Sequence, residues 1–270
     1  MEEAPGDEKL ARLLAPLRQD PGRAAILTDI DGTLAPITER PEEAGVPERT
    51  RELLRRLASS YALVAGISGR RSTEARRIVG VEEIAYSGNH GFELLEPGGV
   101  EPQPDPSLDG HEDDAAAFVA GLDRAQLDRV GLTVEDKGAI VALHWRAAPN
   151  QGAAESLARK IANEAEWQGL VPHLGRKVLE IRPDVPINKG IAVAAMLTAR
   201  PLSAALYAGD DRTDADGFTA LRTLREDGKL DAVACIAIAS PETPPEVVAS
   251  ADLSVPGPEG FVAVLEALAA

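Results

Sequence analysis

Two short acidic stretches carry the chemistry in this sequence: Asp29-Ile30-Asp31-Gly32-Thr33 and Gly209-Asp210-Asp211-Arg212-Thr213-Asp214. Each closes an apolar run of buried-strand length, AAILTDI and LSAALYAGDD, so carboxylates gather where two strands end. Two further strand ends carry polar groups, Ser68-Gly69-Arg70 and Gly88-Asn89-His90-Gly91. In an open α/β sheet, ligands bind beyond the carboxyl ends of the strands. Two acidic clusters meeting there repel each other unless a cation lies between them. Hard carboxylate oxygens, in a chain with one Cys and four His, suit Mg²⁺ rather than zinc. A lone Asp after a strand is commonly a helix cap or turn former. Asp-x-Asp-Gly-Thr together with Gly-Asp-Asp-x-x-Asp is not explained in that way.

The elements that must position these groups follow from periodicity. LARLLAPL (10–17) predicts a short amphipathic helix, ended by the turn DPGR. PERTRELLRRLASS (47–60) and STEARRIVG (72–80) predict helices. YALVAGISGR predicts the second strand, and EEIAYSGNHGF a third strand running into a Gly-rich loop. Repeated strand–helix units imply a parallel sheet covered by helices. Near residue 97 the texture changes, because PGGVEPQPDPSLDG (97–110) has no periodicity and marks a boundary. DDAAAFVAGLDRAQL (113–127) then predicts one helix, and LTVEDKGAIVALHWR a hairpin turning at Asp136, Lys137 and Gly138. NQGAAESLARKIANEAEWQ predicts a long helix, and GLVPHLGRKVLEIRP a second hairpin turning at Gly175 and Arg176. The βα rhythm resumes with NKGIAVAAMLTA and runs through DAVACIAIA and ADLSV to the closing helix EGFVAVLEALAA. The expected architecture is α/β: a doubly wound parallel-sheet core (1–99 and 186–270) interrupted by an α+β insertion (100–185).

Composition narrows the partners. Asp plus Glu number 44 against 28 Lys plus Arg, a net charge of −16. That field repels phosphate backbones and anionic lipid, so neither nucleic acid nor a membrane surface is expected as a partner. Aromatic residues are 3% of the chain, which predicts a core of Ala, Val, Leu and Ile. The lone Cys235, set in VACIAIA, predicts a core thiol in a reducing cytoplasm. The acidic start MEEAPGDEK does not resemble a secretion signal, no apolar run reaches membrane-span length, and a monomer is expected.

With these residues in place, the chain resembles the haloacid dehalogenase superfamily: ILTDIDGTLAPI, ISGR, Lys189 in INKG and GDDRTD fall in the order of its four signatures. The insertion lies between the second and third, as in the larger cap class. Within the insertion, VEDKGAIVALHWR and GRKVLEIRP, with SGNHGFEL before it, are similar to trehalose-6-phosphate phosphatases. The resemblance implies that Asp29 is a nucleophile, Asp31 a general acid/base, and Glu135, Lys137 and Glu180 sugar-holding groups of a cap. Arg182, His144 and Arg146 match the same pattern without an implied role.

Residue chemistry fits that expectation. Phosphate monoesters hydrolyse so slowly that the site must lower the barrier by about 20 kcal/mol or more. A carboxylate nucleophile divides the step by forming an acyl phosphate. Asp31 would protonate the leaving sugar oxygen and then deprotonate water, which needs a proton held near neutral pH and hence a raised pKa. Mg²⁺ is expected on Asp29, the Asp31 carbonyl and Asp210, with Asp214 supporting. Ser68 with Gly69, and Lys189, would hold phosphoryl oxygens. Asn89 and His90, at a strand end between glycines, are expected near the substrate. His144 could equally be a half-buried packing residue.

The expected activity is Mg²⁺-dependent hydrolysis of trehalose 6-phosphate to trehalose and phosphate. Its rivals are other sugar phosphates (sucrose 6-phosphate, mannosylphosphoglycerate, a trehalose-like pseudo-disaccharide phosphate), a phosphosugar mutase, and a non-catalytic sugar-phosphate binder. Asp29, Asp31, Lys189 and Asp210, all present, count against the last. TDADGF lacks the ligands of a calcium loop, and neither a P-loop nor a dinucleotide fingerprint is present. GISGR misses the serine-hydrolase elbow by one residue.

Overall fold

The computed structural model describes residues 5–38, 45–175 and 177–270. Arg176, predicted at a hairpin turn, lies outside the described residues. The chain divides into two compact units, Met1–Gln103 with Ile187–Ala270, and Pro104–Pro186.

In the first unit, β1 (Ala24–Asp29) is the centre of an eight-stranded sheet. On one side of it lie β2 (Leu63–Ile67), β3 (Ala85–Gly88), β4 (Glu93–Leu95) and the two-residue β5 (Gln103–Pro104). On the other lie β10 (Ala204–Gly209), β11 (Ala232–Ala239) and β12 (Leu253–Pro256). From β12 through β3 every pairing is parallel. Strand order therefore reverses between β1 and β10, which places both acidic signatures at adjacent carboxyl ends.

The strands are continuous apolar runs because both faces are covered. Ala24 and Ile26 enter one core with α1 (Pro5–Gln19), α2 (Glu48–Ala58), α3 (Ser72–Val79) and α10 (Gly257–Ala269). Ala25 and Leu27 enter the other with α7 (Lys189–Thr198), α8 (Asp214–Glu226) and α9 (Pro245–Ser250). Cys235 is a core residue there, and burial pushes its thiol up to about 12.

The third strand leads into the Gly-rich loop expected there. It ends at Gly88, Asn89–Gly91 make a tight left-handed turn, and β4 returns antiparallel, so the sheet is not wholly parallel. Three successive positive φ values, at Asn89, His90 and Gly91, reverse the chain within that loop.

In the second unit the single helix expected over 113–127 is two, α4 (Asp114–Ala120) and α5 (Arg124–Val130). The break at Gly121 is sealed by Asp123, whose carboxylate accepts from the Gln126 N–H and caps α5. Hairpins β6 (Thr133–Asp136) with β7 (Val141–His144), and β8 (Leu170–Gly175) with β9 (Val178–Pro183), form one antiparallel sheet in the order β6-β7-β9-β8. Val141, Leu143, Leu179 and Ile181 pack beneath it on α4, α5 and α6 (Gln151–Trp167). Among the described residues, no helix is long and apolar enough to cross a membrane.

Candidate active site

Strand β1 ends on Asp29, and the chain then folds tightly: the Ile30 carbonyl accepts from the N–H groups of Thr33, Leu34 and Ala35. Gly32 sits at φ 92°, with the Asp210 carboxylate directly where a Cβ would project, so both backbone and space require glycine. Thr33 Oγ1 donates to Asp210 Oδ1 at 3.4 Å and ties the two acidic signatures together.

Lys189 follows Asn188, whose side chain caps α7 by accepting from the Ile191 N–H. A lysine there is ordinarily solvated. Here it is buried, with Nζ 2.7 Å from Asp29 Oδ1 and 2.8 Å from Asp214 Oδ1. Those two carboxylates outweigh desolvation and hold its pKa well above the usual lysine range, so the ammonium is permanent.

Asp214 is fully buried, and its oxygens are fully engaged. Oδ1 accepts from Lys189 and from the Tyr207 hydroxyl at 2.7 Å, while Oδ2 accepts from the Asp210 and Asp211 N–H groups, each at 3.0 Å. Its place is therefore that of a support for Lys189 and the 209–211 loop.

Burial, together with the nearby carboxylates, pushes Asp29 well above the ordinary carboxylate range, against the pull of Lys189. Burial and the charges of Asp214 and Asp211 push Asp210 up to about 7. Oxygens of Asp29, Asp210 and Asp214 lie within 4.8 Å of one another. A cluster of buried carboxylates that resists ionisation is the electrostatic setting a hard divalent cation relieves, and all-oxygen donors suit Mg²⁺. The residues fit the ion.

Asp31, for which the sequence predicts a proton held near neutral pH, is set differently. Its side chain is 35% exposed, and both oxygens accept from Arg70, at 2.7 Å from Nε and 2.9 Å from Nη2. Arg70 is itself held at 2.5 Å by Glu74, four residues along α3. Ser68 is buried at the end of the neighbouring strand, its Oγ accepting from the Arg70 N–H. The Asn89–Gly91 turn backs this loop: Asn89 N–H donates to the Arg70 carbonyl and His90 N–H to the Ser68 carbonyl. The His90 ring fills the space over Gly69, where a Cβ would collide with it, and it helps hold Asp211 below the ordinary carboxylate range, after Lys189 and Thr213. Thus Asp29, Asp31, Ser68, Gly69, Asn89, His90, Lys189, Asp210 and Asp214 share one sheet edge.

The remaining candidates lie in the second unit, on and around its sheet. Glu135, Ala142, Glu180 and His173 stand opposite one another across four strands. Glu180 is buried between two cations, accepting from Lys137 Nζ at 3.1 Å and from Arg182. Glu135 is hydrogen-bonded to His144 Nε2 at 2.7 Å, which lowers its pKa. His144 is therefore a partner of Glu135 and does not pack in the core. Arg146 lies in the exposed turn after β7.

Tyr207 and Glu74, the partner of Arg70, are not among the residues singled out from sequence. The i,i+4 spacing of Arg70 and Glu74 is a usable signal. A tyrosine in an otherwise aliphatic strand, two residues before Gly209, is another.

The fold is that of the haloacid-dehalogenase-like hydrolases. A structure titled as such from Bacteroides thetaiotaomicron superposes with a TM-score of 0.65 at 13% identity, over 90% of this chain and 98% of that one. The C-terminal domain of Candida albicans trehalose-6-phosphate phosphatase gives 0.70 at 22% identity, with 96% of each chain covered. The trehalose-phosphatase family model matches residues 27–244, and the chain belongs to that family. The trehalose-phosphate phosphatase of Mycobacterium tuberculosis is 35% identical over 207 residues, covering 72% of this chain and 50% of that protein. An uncharacterized glycosyl hydrolase of the same species is 36% identical over 207 residues, covering 74% of this chain and 15% of that protein. The chain thus spans about half the length of the curated trehalose-phosphate phosphatases it matches.

Proposed function

We propose that the chain hydrolyses trehalose 6-phosphate to trehalose and phosphate, with the first unit carrying bond-breaking groups and the second selecting the sugar. The observation that supports it most is the Asp29–Lys189–Asp214 arrangement: a carboxylate at a strand end, oriented by a buried ammonium that is itself oriented by a saturated acid. Asp29 attacks phosphorus in line as the bond to the sugar oxygen breaks, leaving an acyl phosphate on Asp29. Lys189 stabilises charge on the phosphoryl oxygens, and Ser68 with the Gly69 backbone orients them. Asp31 first supplies a proton to the leaving sugar oxygen, then takes one from the water that attacks the acyl phosphate, which releases phosphate and restores the Asp29 carboxylate. For this its carboxylate must first part from Arg70. Asp29, Asp210 and the Asp31 carbonyl would hold Mg²⁺, which offsets the repulsion between Asp29 and a dianionic phosphoryl group. Asn89 and His90 flank the phosphate loop.

Phosphate release measured over a panel of sugar phosphates, with Mg²⁺ present, tests the reading. Trehalose 6-phosphate is expected to show the highest kcat/KM. Faster turnover of sucrose 6-phosphate or another ester would overturn the substrate, and no turnover of any would overturn the activity.

Selection by the second unit rests on Glu135, Lys137 and Glu180. A carboxylate already fixed by two cations presents oriented lone pairs to sugar hydroxyls at little entropic cost. A charge-assisted hydrogen bond contributes about 1.5–3 kcal/mol when buried. Glu180→Ala is accordingly expected to lower kcat/KM for trehalose 6-phosphate about ten- to a hundredfold while leaving p-nitrophenyl phosphate hydrolysis unchanged. Equal losses on both substrates, or none on either, would remove Glu180 from sugar recognition.

A further inference from the structure

We propose that Tyr207 is a positioning residue, whose hydroxyl holds Asp214 and, through it, sets where Lys189 lies. The inference rests on reading the site as that of a phosphatase. Tyr207 is wholly buried in β10, with its ring edge-on to Phe218 (centroids 5.8 Å apart, planes at 74°) and against the Gly217 backbone of α8. Phenylalanine would fill that space equally well. The sequence instead places a hydroxyl at the bottom of an aliphatic core, where a polar group without a partner is costly. Its partner is Asp214 Oδ1, at 2.7 Å.

That oxygen is the one Lys189 also uses, so Tyr207 and Lys189 share a single acceptor atom. The other oxygen is taken by two backbone N–H groups. Lys189 Nζ lies between Asp214 Oδ1 and Asp29 Oδ1, at 2.8 and 2.7 Å. The hydroxyl draws off part of the basicity of Oδ1 and keeps the carboxylate from turning. Without it, Oδ1 has Lys189 alone, and the ammonium is pulled toward Asp214 and away from Asp29. The reacting phosphoryl group then loses its aligned cation. Burial and the Asp214 charge keep the Tyr207 phenol far above its ordinary range, so it remains a donor throughout.

Such a displacement weakens the transition state more than the ground state, because charge on the phosphoryl oxygens is redistributed only as the bond breaks. Tyr207→Phe is expected to lower kcat about tenfold with KM for trehalose 6-phosphate unchanged, the scale of one hydrogen bond to a charged group. Affinity for orthovanadate, which mimics the five-coordinate phosphoryl, should fall in step, while affinity for inorganic phosphate stays put. Wild-type kcat and vanadate affinity in the variant would overturn the role, as would a parallel loss of vanadate and phosphate binding, which marks general damage. Asp214→Asn and the Asp214→Asn/Tyr207→Phe pair complete the cycle: with the acid's charge gone, the second change should cost less than about twofold. A full tenfold additional loss would overturn the coupling. Wild type is assayed alongside: a wild type that turns over no phosphate ester defeats the phosphatase reading itself, whereas an active wild type matched by Tyr207→Phe defeats only the role of Tyr207.

Discussion

Asp29→Asn is expected to extinguish turnover, with kcat falling by about 10⁴ or more, the scale seen when an essential nucleophile is removed. The amide has nearly the shape of the acid, and its oxygen can still accept from Lys189, so the contact at 2.7 Å has a replacement. What is lost is the anionic lone pair that forms the acyl phosphate. Burial and the neighbouring carboxylates make Asp29 reluctant to ionise, and Lys189 pulls the other way. A neutral amide needs no such compensation, and the fold should survive. Steady-state kinetics on trehalose 6-phosphate, with thermal unfolding as the check on folding, decides the matter. A variant that keeps more than about one hundredth of wild-type rate, well above what loss of an essential group leaves, places the nucleophile elsewhere.

Removing Mg²⁺ with excess chelator is expected to cut activity by at least about a hundredfold, the scale of losing one oriented electrostatic stabiliser, and its return to restore it. The same carboxylates predict a pH dependence that needs no turnover to observe. Without the metal, burial and the neighbouring carboxylates push Asp210 up to about 7, against 3.8 for a free aspartate. Because the folded chain holds that proton more tightly than the unfolded one, metal-free stability falls as pH rises through this window and is flat above it. Mg²⁺ competes with the proton, so its apparent affinity should drop about tenfold per pH unit below 7. Thermal unfolding with and without Mg²⁺ should therefore show a larger upward shift at pH 8 than at pH 6. A shift that is equal at both, or larger at pH 6, removes Asp210 from the metal site.

Much of the catalytic edge is legible in the linear chain because its parts are local. Asp29 and Asp31 lie on one loop, Asp210 and Asp214 on another, and each ends an apolar run whose length and unbroken hydrophobicity mark a strand covered on both faces. Once the strands are parallel, their carboxyl ends share an edge, and convergence follows from topology. The Gly-rich loop after β3 was legible, but its left-handed conformation and the antiparallel return of β4 were not. The positive φ values at Asn89, His90 and Gly91 come from backbone hydrogen bonds to residues 68 and 70, twenty positions away, which no local pattern encodes. The split between α4 and α5 was closer to legible, since Gly121 and Asp123 are a stop and a start; periodicity masked them.

Charge states and partnerships belong to the tertiary structure alone. A lysine opening a helix is a surface residue until packing buries it against two acids, and only then does it become a fixed cation. Asp31 and Arg70 are 39 positions apart, and the sequence, in asking for a proton on the acid, has no means of showing the guanidinium against it. Likewise Tyr207 and Asp214 are a core aromatic and a turn acid when taken singly, and their hydrogen bond exists because the strand end and the helix start fold onto each other. The sequence determined residue type and strand end, which are properties of short segments. Desolvation and Coulomb interaction depend on the groups within a few ångströms in space, and those were decided by the fold.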